Sequence, residues 1–325
     1  MIGAMFDRDR RPEELPQFAR ELEAAGVDQL WVVEDLGWGG ALTAAAAALA
    51  GTERITVGIG IVPAPLRNPA LLAMELAVLE RLHPGRLLAG IGHGVAPWMR
   101  QVGASVGSPL TLLEETLTGV RQLLAGERVV TRGRYVTIDD VQLVHPPAAV
   151  PPLLCGVMKS KSLHLSGRIA DGTILPEGTG PKAVEAALQH IDASGPHQLI
   201  VFTHLVLDDD PTDAVSLQAR TLPIRREFAA VHGIDESEVF LVSGSEPEAA
   251  ENISVGGRGG QRGVATGGAG PHRHRTAGVG RARTGLISAL AAGYGLRRFG
   301  GTAGSWGAGA GPGASMRLAT ATAAR

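Results

Sequence analysis

The chain reads as an α/β protein, specifically a (β/α)8 TIM barrel, and three observations predict it. Short apolar runs alternate with amphipathic helical stretches from residue 2 to about residue 207, the pattern of a parallel sheet covered by helices. Two of the runs, Ile55 to Val62 and Leu87 to Ile91, are almost continuously apolar, as strands buried on both faces require. No Gly-x-Gly-x-x-Gly follows the first strand, so the fingerprint of an open dinucleotide-binding sheet is missing where it would stand.

Each element follows in order. Ile2 to Asp7 is the first strand. Pro12 to Ala25 is its helix, with Leu15, Phe18, Leu22 and Ala25 on one face and Gly26 as the residue that ends it. Gln29 to Asp35 is the second strand and the Ala-rich stretch from Ala41 to Ala50 its helix. After the third strand at Ile55 to Val62, the helix from Pro69 to Leu82 carries Leu71, Met74, Val78 and Leu82 at spacings of three and four. It stops at His83-Pro84-Gly85. The fourth strand, Leu87 to Ile91, opens into Gly92-His93-Gly94. Ser108 and Pro109 then serve as cap and first position of a helix whose stripe is Leu110, Leu113, Leu117, Val120 and Leu124.

Residues Arg128 to Pro147 form a polar excursion with the alternation of a small hairpin. Pro152 to Val157 is the fifth strand, Ser162 to Ala170 a helix, and Thr173 to Leu175 the sixth strand. Lys182 to Ala193 is its helix, and Leu199 to Leu207 the seventh strand. The eighth strand is expected after Glu251 and is not there, so the sequence predicts a barrel whose last strand is missing or replaced by an irregular tail.

Composition divides the chain at the same place. Residues 252–325 hold no Asp, Glu or Lys but ten Arg and 20 of the 45 Gly; the first 251 residues hold 20 Lys+Arg against all 32 Asp+Glu. The formal net charge of −2 thus combines −12 with +10. The organisation read from this is a barrel domain over 1–253 and a Gly/Ala/Arg-rich tail over 254–325, either disordered or the product of a frameshift. Reading residues 256–272 from the second base of degenerate codons permits a string containing Ser-Val-Val-Leu-Gln-Pro, which would supply a strand and loop. Resequencing the gene decides that question. A frameshifted product without activity is accordingly one reading of the chain. Arg258-Gly259-Gly260 is the single such triplet and aromatic residues are sparse beside it, so nucleic acid is not expected as a partner.

The one cysteine, Cys155, sits in the apolar run Leu153-Leu154-Cys155, so no intrachain disulfide can form and a reducing cytoplasm is expected. The N-terminus shows no basic region followed by a long apolar stretch, and no window reaches 18 consecutive apolar residues. Neither a signal peptide nor a membrane span is expected.

The glycine-ended strands and a third segment together resemble one family. The pieces are Gly58-Ile59-Gly60-Ile61-Val62 with Arg67-Asn68-Pro69, then Pro84-Gly85-Arg86-Leu87 with Gly90-Ile91-Gly92-His93-Gly94, and last Leu165-Ser166-Gly167-Arg168-Ile169-Ala170-Asp171-Gly172. Over about residues 2–253 the chain resembles the bacterial-luciferase-like superfamily of flavin and deazaflavin oxidoreductases, and within it the actinobacterial enzymes that use coenzyme F420. The resemblance implies an enzyme moving a hydride between F420 and a small organic substrate. An FMN-dependent monooxygenase is the alternative, and a homodimer is the common assembly.

For the site, the resemblance implies a bulge at the end of the third strand, often with a non-prolyl cis bond, supporting the middle of a tricyclic ring; the matching bond is Gly60–Ile61. Gly92 and Gly94 adjoin it. Gly60 could equally serve only to relieve crowding inside the barrel. The phosphate-bearing part of the cofactor would lie over Gly156, Val157, Met158, Lys159 and Ser160, ahead of a helix N-terminus, and over Gly178 and Thr179, with Lys182 near. Many relatives end the second strand with Ser-Asp-His. Here Val33-Glu34-Asp35-Leu36 stands in its place, with Asp35 at the histidine position and Glu34 at the aspartate position. These carboxylates are either a general acid or base or a cap for the following helix. His93 is a second candidate for proton transfer, and Trp38 a candidate wall of the cavity.

Overall fold

The architecture comes from a computed structural model, which describes residues 1–207, positions 226, 229, 235 and 239, and the segments 242–244, 296–299, 305–308 and 316–324. The strands are β1 (Ile2–Met5), β2 (Gln29–Val32), β3 (Thr56–Pro63), β4 (Leu87–Gly92), β5 (Val129–Arg132), β6 (Thr137–Val141), β7 (Leu153–Gly156), β8 (Gly172–Leu175), β9 (His197–Leu207), β10 (Val242–Gly244), β11 (Leu296–Phe299), β12 (Ser305–Ala308) and β13 (Met316–Ala324). The helices are α1 (Leu15–Ala24), α2 (Ala41–Ala50), α3 (Pro69–Leu82), α4 (Ala96–Gln101), α5 (Pro109–Leu124), α6 (Ser160–Ile169) and α7 (Pro181–Ile191).

β1, β2, β3, β4, β7, β8 and β9 pair in that order, all parallel. The sheet curls until β13 bridges β9 and β1, antiparallel to both. The eighth position is therefore filled from the tail, by a regular strand of opposite sense in place of an irregular segment. An open barrel edge would leave a row of backbone N–H and C=O groups unpaired. The nine residues of β13, free of Pro and Gly, supply the missing partners along the whole of His197 to Leu205. The domain boundary read near residue 253, the frameshift read at 256–272 and the strand expected after Glu251 lie outside the described residues. β5 and β6 form the antiparallel hairpin expected between Arg128 and Pro147.

Local signals place the helices. The Asn68 side chain accepts from the Ala70 N–H at 2.8 Å with Pro69 at the first position of α3, and Ser108 accepts from the Thr111 N–H at 3.4 Å to start α5. Gly26 ends the α1 turn with φ +77°, a conformation that costs glycine nothing. Glu23 at the end of α1 accepts backbone N–H bonds from Glu53, Arg54 and Ile55, fixing the entry to β3. Burial pushes its carboxyl up, but these three donors outweigh that and hold it below its usual value.

In α3 the structure turns the helix away from the expected stripe. Leu71, Met74, Val78 and Leu82 face outward at 49–68% exposure, while Leu72, Ala73, Leu76 and Ala77 are buried against the sheet. Two apolar stripes run along this helix, and the tighter-packing one with the smaller alanines docks. The barrel interior is filled, as in other closed parallel barrels, by Met5, Trp31, Leu88, Leu154, Ile174, Ile200 and Phe202. The rings of Trp31 and Phe202 meet edge to face at 5.2 Å.

Candidate active site

The carboxyl ends of β2, β3 and β4 build one side of the barrel mouth. Past β2 the chain presents Glu34 and Asp35, adjacent residues with different partners. Glu34 Oε2 accepts from the Ala41 N–H at 3.0 Å, capping α2, whose own cap residue Gly40 has no side chain to do so. Both Glu34 oxygens also receive the Arg67 guanidinium in a fork, Nη2 to Oε2 at 2.9 Å and Nη1 to Oε1, the strong bidentate arrangement of arginine and carboxylate. Arg67 Nε lies 3.4 Å from Glu75 Oε2. Burial would lower the Arg67 pKa, but the two carboxylates outweigh it and raise the value.

Asp35 binds Arg8 Nη1 through Oδ2 at 2.8 Å. The Arg8 guanidinium lies 4.4 Å from the centre of the Trp38 ring, and Trp38 Nε1 donates to Asp9 Oδ1 at 3.0 Å. Trp98, from the short helix α4, stands 6.4 Å from Trp38. Together Glu34, Asp35, Trp38, Arg67, Glu75 and Trp98 line a cavity of about 510 Å³, completed by apolar and glycine residues including Leu36, Pro63, Leu66, Leu71 and Met99.

Next in the sheet, β3, β4 and β7 carry glycine toward their carboxyl ends. The β3–β4 register shifts between Ile59 and Val62, and the Gly60–Ile61 bond within that bulge is cis. The Ile61 side chain reaches across to β4 and β7. A Cβ on Gly156 would lie 2.5 Å from Ile61 Cγ2, and one on Gly92 would lie 2.7 Å from the Gly156 carbonyl oxygen. A Cβ on Gly60 would lie 2.7 Å from Phe202 Cζ. Gly60, Ile61, Gly92 and Gly156 thus interlock, and these glycines do clear room for barrel side chains. Gly94 follows β4 with φ +70°.

His93, directly after β4, is not part of the cavity lining. Its Nε2 shares a hydrogen bond with Ser162 Oγ at 2.9 Å in the first turn of α6, while Nδ1 makes no bond of regular geometry. Burial lowers its pKa, the nearby Lys159 charge adds to that, and the Pro109 carbonyl opposes it. The imidazole is held toward its neutral form. The three sequence-derived catalytic candidates therefore divide: Glu34 and Asp35 share a cavity with Trp38, and His93 joins the α6 side.

Helix α6 begins at Ser160, two residues earlier than its sequence reading, with Lys159 as the cap residue and no side chain bonded across its first turn. Val157 is buried and Met158 is 46% exposed. Lys159 and Ser160 are exposed. On the next loop Gly178 has φ +79°, and Thr179 Oγ1 donates to the Pro176 carbonyl at 2.7 Å. Sequence reading missed Arg8, Glu75, Trp98 and the whole of α4. Arg67 was visible only as part of Arg67-Asn68-Pro69. Among the described residues no cluster of His, Cys, Asp and Glu could hold a metal, and no helix is long and apolar enough to cross a membrane.

Fold and mouth together define a barrel of seven parallel strands closed by one antiparallel strand, with a cavity past the carboxyl ends of β2 and β3. The family model described as luciferase-like monooxygenase matches residues 2–285, and the chain belongs to that family. It is similar to an F420-dependent glucose-6-phosphate dehydrogenase of Microbacterium testaceum, 31% identical over 185 residues, covering 53% of this chain and 54% of that one. It is also similar to a 5,10-methylenetetrahydromethanopterin reductase of Methanolobus tindarius, 26% identical over 179 residues, 55% of this chain and 54% of that one. The chain thus spans about half the length of these curated relatives. Among solved structures, the coenzyme F420-dependent tetrahydromethanopterin reductase of Methanopyrus kandleri superposes with a TM-score of 0.67 at 19% identity, covering 78% of this chain and 88% of that chain.

Proposed function

We propose that this chain is an oxidoreductase that moves a hydride between coenzyme F420 and a small organic substrate, with Asp35 handling the proton. The observation that carries the reading is the position of Asp35, on the cavity wall just past β2, in a cavity that Pro63 at the end of β3 also lines, with β4 and β7 next in the sheet. The names of two relatives, both F420-dependent, support the choice of cofactor.

The residues fit such a group. Gly60, Ile61, Gly92 and Gly94 would support a flat ring. Gly156, Val157, Met158, Lys159 and Ser160 would hold an anionic tail at the first turn of α6, where backbone N–H groups lack side-chain caps and the helix end favours negative charge. Gly178 and Thr179 would flank it. Bound there, F420 would supply two-electron hydride chemistry.

The chain's own part is positional and protonic. Arg8 orients Asp35 through Oδ2, and Asp35 takes or returns the proton of the substrate oxygen. Glu34 is tied to Ala41 and Arg67, so it holds the loop that carries Asp35. His93, neutral and bonded to Ser162, positions the start of α6. The family match favours one second reading, FMN with oxygen in a monooxygenase. Titrating the purified chain separately with F420 and FMN separates the two. Saturable F420 binding is expected, and tight FMN binding with F420 ignored overturns the assignment.

A further inference from the structure

We propose that the cavity selects neutral alcohols with an apolar body and rejects phosphorylated or otherwise anionic substrates. This rests on reading that cavity as the substrate site of the proposed oxidoreductase.

The charges on its wall carry the argument. Three carboxylates line it, those of Glu34, Asp35 and Glu75, against one lining cation, Arg67. Arg67 is committed to Glu34 through two hydrogen bonds and leans on Glu75 at 3.4 Å. The adjoining cation, Arg8, is committed to Asp35 at 2.8 Å. Among the described residues, then, an incoming phosphate meets no lining cation without a carboxylate already on it. Binding there would mean pulling an arginine from its partner and placing new negative charge among three carboxylates, both unfavourable in a partly desolvated site.

Hydrogen-bonding capacity narrows the choice further. Glu34 Oε1 receives Arg67, and Oε2 receives both Arg67 and the Ala41 N–H. The indole N–H of Trp38 is spent on Asp9. Asp35 uses Oδ2 for Arg8, and its Oδ1 bonds to no described protein group. Glu75 Oε2 also makes no hydrogen bond, Arg67 Nε standing 3.4 Å from it. Carboxylate oxygens accept, so the complement of this wall is a donor, a hydroxyl. The remaining wall of Leu36, Trp38, Pro63, Leu66, Trp98 and Met99 suits a hydrocarbon body, whose transfer from water is favourable.

The test uses the full chain without added cofactor, titrated with cyclohexanol, glucose 6-phosphate and inorganic phosphate. Intrinsic fluorescence and calorimetry follow binding, and a Trp38→Phe/Trp98→Phe variant assigns the optical signal to the cavity. Cyclohexanol is expected to give a saturable response that the double variant abolishes optically. Asp35→Ala should weaken it about tenfold, the value of one hydrogen bond to a charged acceptor. Both phosphates should stay silent, and Glu75→Gln, which removes one of the two carboxylates on Arg67, should bring phosphate binding into range. Glucose 6-phosphate binding as tightly as cyclohexanol overturns the proposal, as does cyclohexanol without a calorimetric response. Parallel titration with F420 keeps the two readings apart. A chain that prefers cyclohexanol but ignores F420 loses the cofactor assignment alone. One that binds F420 and prefers the sugar phosphate loses this proposal alone.

Discussion

The two sides of the barrel mouth are built on opposite terms. At the ends of β2 and β3 polar groups are dense and mutually committed: Glu34 with Arg67 and the α2 backbone, Asp35 with Arg8, Trp38 with Asp9. At the ends of β4 and β7 the strands carry glycine, and the charges that follow, Lys159 and Lys161, are exposed. The first side fixes the direction of one carboxylate by surrounding it with partners. The second removes side chains at Gly60, Gly92 and Gly156, and Ile61 and Phe202 fill the room this leaves. The proposed site, which would aim a proton and seat a broad flat ligand, draws on both devices, and each fails differently when altered.

The sharpest contrast comes from Asp35→Asn. It removes the carboxylate proposed to handle the proton while keeping the shape, so kcat is expected to drop about 10²–10⁴-fold, with thermal stability and F420 affinity nearly unchanged. A parallel loss of F420 binding would break the division between the sides. On the glycine side, Gly92→Ala places its Cβ 2.7 Å from the Gly156 carbonyl oxygen, a backbone atom with little freedom to retreat. The β4–β7 seam should lose about 1–3 kcal/mol in denaturant unfolding, and cofactor affinity should fall with it.

Arg67→Ala tests the committed network. It leaves the Glu34 side chain, only 10% exposed, without its fork, at about 1–3 kcal/mol of stability. Arg67→Lys should recover only part, since an ammonium cannot reproduce two parallel bonds. His93 offers a smaller, pH-dependent effect. Its folded pKa lies below the ordinary 6.5 through burial and then the Lys159 charge, so the unfolded chain takes up this proton first as pH falls. Its contribution is fully present above pH 6.5 and is lost as pH drops through the lowered folded value. Urea unfolding at pH 7.5 and 5 should show a smaller acid loss in His93→Gln than in the parent. Smallest of all, Val78→Glu on the outward face of α3, 55% exposed, should change stability by no more than about 0.5 kcal/mol. Leu76→Ala on the buried face should cost about 2–5 kcal/mol.

Much of this architecture could be read in advance, for reasons that differ by element. β3 and β4 were legible because a strand covered on both faces has to be apolar along its length. α5 was legible because Ser108 and Pro109 mark its start and Leu113, Leu117 and Val120 its buried side. The face of α3 was not, since Leu71-Met74-Val78-Leu82 and Leu72-Leu76-Leu79 are both plausible stripes and only docking against the barrel chooses. Glu34 and Asp35 were legible as neighbouring carboxylates at a strand end. Their division of labour was not, because Arg8 lies 27 residues from Asp35 and Arg67 lies 33 from Glu34.

What the sequence determined alone is what local chemistry dictates: strand and helix alternation, helix starts at Asn68 and Ser108, glycines at strand ends, and a compositional break near residue 252. The tertiary structure decided which carboxylate is tied down and which keeps an open oxygen. It also separated His93 from the cavity and closed the barrel with β13, antiparallel, from the far end of the chain. These depend on groups distant in sequence meeting at set distances and directions, and period and spacing along a chain carry no record of that.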